Sequence, residues 1–160
     1  MKKIAVTMGD AAGIGPEIIL KAFNEISDVS HFVLIGNREI FKINEEICGK
    51  KLPENLDFID IDYDTGKIEK GVENKFSGEL AYLTLKKACD LVNDGKIDKI
   101  ATAPLSKNAL YLAGYKYSGQ TEILQKELSN GDNQAQMLFV ADKLRILLLT
   151  RHEALFNIPK

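Results

Sequence analysis

Lys3-Ile4-Ala5-Val6-Thr7-Met8-Gly9-Asp10-Ala11-Ala12-Gly13-Ile14-Gly15-Pro16-Glu17-Ile18 is the stretch that decides the fold. Residues Lys3 to Met8 form an almost unbroken apolar run, as a buried strand does. A glycine-rich turn follows. Pro16 then suits the first turn of a helix, where its missing N–H costs nothing. Ile18, Ile19, Ala22, Phe23 and Ile26 give that helix, from about Pro16 to Ile26, one apolar face. Strand, tight turn and amphipathic helix in that order are the opening of a βα unit.

The same alternation continues outward. Phe32 to Ile35 is a second short strand, and Asn37 caps a helix to about Ile47, with Gly49 beyond its end. Leu56 to Ile61 is a third strand. Asp62 to Asn74 is polar and reads as a loop or an exposed hairpin. Ser77 is placed to cap a long helix over Gly78 to Val92, stopped by Asn93-Asp94-Gly95. Ile97 to Ala103 is a strand that Pro104 ends. Short helices follow over Ser106 to Ala113 and Thr121 to Leu128, with Ser129-Asn130-Gly131-Asp132 as a turn. Gln136 to Val140 and Leu144 to Thr150 form a hairpin about Ala141-Asp142-Lys143. Together these elements predict a layered α/β/α fold with a mixed, largely parallel sheet. The hairpin is its antiparallel departure or the start of a second lobe.

The 160 residues are 45% apolar and 28% charged, enough for one domain with a sizeable core. Lysine and arginine total 21 against 23 acids, a net charge of −2. So even a balance makes no electrostatic case for nucleic acid or an anionic membrane surface. No apolar run approaches a membrane span of roughly 18–20 residues, and Gly9-Asp10 interrupts the N-terminus too early for a secretory signal. Cys48 and Cys89 have no metal-like spacing and fall in predicted helices, as buried apolar residues of a reduced, cytoplasmic chain.

Four places are suited to chemistry. The Gly9–Pro16 turn lets backbone approach a ligand and opens a helix whose N–H groups favour an anion. It is neither Gly-x-Gly-x-x-Gly nor a P-loop, and Asp10 reads equally as a local cap. Thr102-Ala103-Pro104-Leu105-Ser106-Lys107 lies at a strand's carboxyl end, where open α/β sheets bind ligands. Lys107 is there either as a point charge for phosphate or carboxylate, or as a solvated first-turn lysine. Gln120 and Thr121 place an amide and a hydroxyl at a helix start, for a ligand or for capping. His152, just past a predicted buried strand, offers an imidazole to a divalent metal, whereas His31 reads as structural or solvent-facing.

Taken as an ordered set, four blocks resemble the 4-hydroxythreonine-4-phosphate dehydrogenase family of pyridoxal phosphate biosynthesis. They are Thr7 to Ile18, Thr102-Ala103-Pro104 with Lys107, Gly114-Tyr115 leading to Gly119-Gln120-Thr121-Glu122, and Leu144-Arg145 leading to His152. The resemblance implies a relative of the isocitrate and isopropylmalate dehydrogenases, with two α/β lobes, a cleft between them, and a homodimer. Residues 1–115 then belong to the first lobe and 116–160 begin the second. It implies NAD or NADP and a divalent metal (zinc, magnesium or cobalt), used to oxidise and decarboxylate 4-phosphooxy-L-threonine. A close branch acts on threonate or erythronate phosphates. By the same resemblance His152 stands at the first of three metal histidines and Thr121 at a substrate-contacting threonine. Asp10 and Lys107 are further cleft residues. Gln120 replaces a substrate-contacting histidine; it still donates a hydrogen bond but carries no proton. Ala11 replaces a proline.

Members run to about twice this length. The resemblance therefore implies an N-terminal half that is inactive alone and leaves sheet edges uncovered. The alternative is a non-catalytic α/β module that binds a phosphorylated four-carbon acid or a partner subunit.

Overall fold

The computed structural model describes residues 2–128, 135–150 and 154–157. Strands β1 (Lys3–Thr7), β2 (Phe32–Gly36), β3 (Asp57–Asp60) and β4 (Ile97–Thr102) form one sheet in the order β3-β2-β1-β4. Every pairing in it is parallel. Helix α1 (Gly15–Glu25) joins β1 to β2 and α2 (Arg38–Cys48) joins β2 to β3. The chain then crosses to the other side of β1 through α3 (Lys75–Asn93) before laying down β4. Helices α4 (Lys107–Leu112) and α5 (Gln120–Leu128) follow.

Strand alternation sorts the core into two layers. Met8 and Leu34 face Ile19, Leu20 and Phe23 of α1 and Ile40 and Phe41 of α2. Ala5, Val33, Ile35 and Ile97 face Ala88 of α3. A third cluster, Leu85, Leu110 and Ile123, fastens α4 and α5 onto α3. Sheet and covering helices thus form the expected α/β/α sandwich, with all of its strands parallel.

Asn37 caps α2 as its sequence implies, accepting from the Ile40 N–H, and Gly49 closes that helix. Ser106 caps α4 by accepting from the Ala109 N–H at 3.0 Å. The start of α3 differs from the sequence reading. Asn74, not Ser77, is the cap: its side-chain oxygen accepts from the Phe76 and Ser77 N–H groups, each at 3.0 Å. Ser77 has been drawn inside the helix, fully buried, and its hydroxyl donates back to the Asn74 carbonyl. Residues 61–74 are a loop with turns and form no strand.

The hairpin is present as β5 (Leu138–Ala141) and β6 (Leu144–Leu147), paired antiparallel in a sheet of its own. Asp142 turns it with φ +49°. Both strands are exposed along their whole length. The expectation of a buried strand ahead of His152 is therefore corrected, because no helix or second sheet covers either face of the hairpin among the described residues. The turn expected at 129–132 and His152 itself lie outside the described residues.

Candidate active site

At the carboxyl ends of β1 and β4 the chain leaves in opposite directions. After β1 it enters α1, which covers one face of the sheet. After β4 it enters α4, which packs with α3 on the other. Neighbouring strands whose connections diverge in this way leave a crevice between them, the usual ligand position in an open parallel sheet. Its two walls are the Gly9–Gly15 turn and the Ala103–Lys107 segment.

Backbone contacts hold these walls close. The Asp10 N–H donates to the Pro104 carbonyl at 2.9 Å, and the Ala103 N–H donates to the Thr7 carbonyl at 3.2 Å. Gly9 has φ +71°, and a Cβ there would collide with the Pro104 carbonyl oxygen. A side chain at this position meets both a strained backbone and a blocked space.

Asp10 is nearly buried, at 7% exposure. Its Oδ1 accepts from the Ala12 N–H at 3.0 Å, and the Gly13 N–H returns to its carbonyl at 3.1 Å. This is an Asx turn, so Asp10 shapes the wall and has one carboxylate oxygen occupied in doing so. Gln120, the first residue of α5, reaches across and donates its amide to the Ala103 carbonyl at 2.9 Å. Thr121 follows it, half-buried. Lys107 is exposed, and its Cε comes to 3.6 Å from where a Cβ on Gly119 would sit. The structure thus brings Asp10 and Gln120 to the segment 103–107, which ends in Lys107, with Thr121 next to Gln120 in the chain. His152, the fifth sequence candidate, lies outside the described residues.

The loop between β3 and α3 lies across the crevice, and its contribution escapes a sequence reading. The Gly71 N–H donates to the Ala12 carbonyl at 2.8 Å. Lys70 Nζ donates to the Gly13 carbonyl at 2.6 Å and to Asn44 Oδ1 at 2.7 Å. At the other wall Glu73 accepts from the Ser106 hydroxyl and from Asn108 Nδ2, which hold its carboxyl below the ordinary carboxylate range. Glu17 in the first turn of α1 is likewise lowered, chiefly by its hydrogen bond and charge pairing with Lys21 and to a smaller extent by the Lys70 charge. One sequence signal marks this arrangement. Asn44 is a polar residue on the apolar stripe of α2 next to Ile40 and Phe41, and it is 2% exposed.

Among the described residues no group of three or more His, Cys, Asp or Glu side chains is placed to hold a metal ion. The metal site implied by the resemblance draws on this chain through His152 alone, which lies outside the described residues.

A family described as "Pyridoxal phosphate biosynthetic protein PdxA" matches residues 7–160. The chain belongs to the PdxA family. A D-threonate 4-phosphate dehydrogenase of Pectobacterium atrosepticum is 37% identical over 96% of this chain and 52% of its own length. A 4-hydroxythreonine-4-phosphate dehydrogenase of Trichlorobacter lovleyi is 32% identical over 98% of this chain and 52% of its own. Among solved structures, the 4-hydroxythreonine-4-phosphate dehydrogenase of Klebsiella pneumoniae superposes with a TM-score of 0.86 at 31% identity, covering 98% of this chain and 53% of that one. The chain thus spans about half the length of the curated PdxA relatives it matches. No helix among the described residues is long and apolar enough to cross a membrane.

Proposed function

We propose that this chain contributes one wall set of a dehydrogenase site for a phosphorylated four-carbon hydroxy acid. 4-Phosphooxy-L-threonine is the leading substrate, and threonate or erythronate phosphate follows. The observation that carries the reading is the convergence of Asp10 and Gln120 on the Lys107-bearing segment 103–107 at the diverging ends of β1 and β4. In a PdxA-family chain that crevice is the natural substrate position.

Each residue then has a task. Lys107 meets the phosphate or carboxylate as an exposed point charge. Thr121 offers its hydroxyl to the substrate, while Gln120 fixes the wall through its amide. Asp10 holds the turn that lets backbone come close. NAD or NADP would supply the hydride acceptor for oxidation of the substrate alcohol, and a divalent metal of which His152 would be one ligand belongs to the same reading. So do a homodimer, two lobes divided near residue 115, decarboxylation of the oxidised acid, and an idle chain when tested alone. The free Cys48 and Cys89 suit the reduced cytoplasm.

One observation favours the second reading, a non-catalytic binding module. The Gln120 amide is already engaged with the Ala103 carbonyl, so it serves the fold before it serves a ligand. Calorimetry separates the two. Under the first, phosphorylated threonine binds in a metal-dependent way, and Lys107→Met weakens binding by roughly tenfold, as loss of a charge-assisted contact does. Metal-independent binding that survives His152→Ala supports the module. Equal binding of unphosphorylated threonine rules out both.

A further inference from the structure

We propose that Lys70, seated on the buried Asn44, is a positioning residue that holds the Gly9–Gly15 turn in the shape the crevice uses. The proposal rests on the reading of that crevice as the substrate site, and it concerns residues that the motif set does not include.

Three glycines at positions 9, 13 and 15 make the turn permissive, so its order has to be imposed by contacts. Its inner half is fastened by Asp10: the side chain to the Ala12 N–H, the main-chain N–H to the Pro104 carbonyl. Its outer half, Ala12–Gly13, is fastened by the crossing loop through the Gly71 N–H and the Lys70 ammonium. The Gly13 carbonyl lies ahead of α1, before the first residue of the helix.

Asn44 shows that this contact is built. It occupies a core position of α2 at 2% exposure, where an apolar residue would pack without any polar group to satisfy. Its Nδ2 donates to the Ile40 carbonyl at 2.7 Å, which orients the amide and leaves Oδ1 facing the loop. Lys70 Nζ donates to that oxygen and to the Gly13 carbonyl together. One ammonium, with three N–H donors, thereby ties α2 to the turn. A lysine that only solvated the surface would not need a buried acceptor.

Amide hydrogen exchange on the 160-residue chain is the test, run beside thermal unfolding and a titration with 4-phosphooxy-L-threonine. The reporters are the Gly13 and Gly71 amides, each hydrogen-bonded in the turn or onto it. Lys70→Met and the isosteric Asn44→Leu are expected to speed exchange at both by roughly tenfold, without change at Leu85 of α3. Lys70→Arg, which still reaches two acceptors, stays within about threefold of the parent. Asn44→Leu is the sharper variant: it keeps or raises the melting temperature while loosening the turn. A purely structural contact would instead lower stability and speed exchange throughout. Unchanged exchange at Gly13 and Gly71 in Lys70→Met overturns the proposal, as does ligand binding by that variant equal to the parent's. If the parent binds no phosphorylated threonine, the reading of the crevice fails, and the exchange data alone decide the role of Lys70.

Discussion

Gly78 sits where α3 touches α4, and a Cβ there would overlap the Ala109 carbonyl and the Leu110 nitrogen. Backbone cannot yield as a flexible side chain can, so the two helices must separate or tilt. We expect Gly78→Ala to destabilise the fold by about 1–3 kcal/mol, the usual cost of overpacking, measured by urea unfolding. Cys89 is fully buried in α3, and its burial pushes the thiol pKa up to about 11. Cys48, at the end of α2, is partly exposed. A thiol reagent at neutral pH should therefore modify Cys48 quickly and Cys89 only as the protein unfolds. At this scale much was legible from the sequence. The cap Asn37, the strand-end places of Asp10 and Lys107, the helix-start place of Gln120 and the buried Cys89 follow from residue type and position. The cap Ser106 reads from the sequence only as a helix residue, and Cys48, which reads as buried, is partly exposed. Lys70 and Glu73 are not legible, because neither has a local pattern, and their partners Asn44, Gly13, Ser106 and Asn108 lie across the fold.

Among elements, the loop between β3 and α3 carries the most. A polar stretch with two glycines reads as filler, yet it bonds to the glycine turn at one end and to the start of α4 at the other. Its Glu73 contact depends on pH in a definite direction. Hydrogen bonds from Ser106 and Asn108 lower the carboxyl in the folded protein below its ordinary 4.5. The folded value being the lower one, the contact stabilises the native state above that ordinary value. The contribution is lost as pH falls through the depressed folded value. Melting temperatures followed from about pH 7 to 3 should show Glu73→Gln slightly less stable than the parent at neutral pH, and converging with it in acid. The cap of α3 shows why element ends resist prediction. Asn74 and Ser77 are both competent caps, and the fold settles on Asn74 with Ser77 fully buried, one residue before the Gly78 contact with the Ala109 backbone.

For the whole molecule, the strand and helix alternation disclosed a parallel α/β/α architecture, but not that β4 would lie beside β1. That neighbour relation depends on the crossover through α3, which no local pattern encodes. β4 is an edge strand, and beside it α1 and β1 leave an apolar groove of about 270 Å³ lined by Val6, Ile18, Ala22, Phe23 and Ala101. The β5–β6 hairpin adds exposed Leu138, Phe139, Val140 and Ile146. Unpaired edges and contiguous apolar surface promote association. Sedimentation of the isolated chain should reveal concentration-dependent self-association, reduced by Ile18→Lys at the groove. An equally monodisperse parent and variant would count against this.

β1 spans Lys3–Thr7 and β4 spans Ile97–Thr102, so the two walls of the crevice come from opposite ends of the first hundred residues. Closing so long a chain segment costs entropy before the pairing repays it. A partly folded chain can hold α1, α2 and their strands in place and still have no crevice at all. On the proposed reading of the crevice, ligand capture is in that sense a certificate of a completed parallel sheet: binding begins only once β4 has docked beside β1.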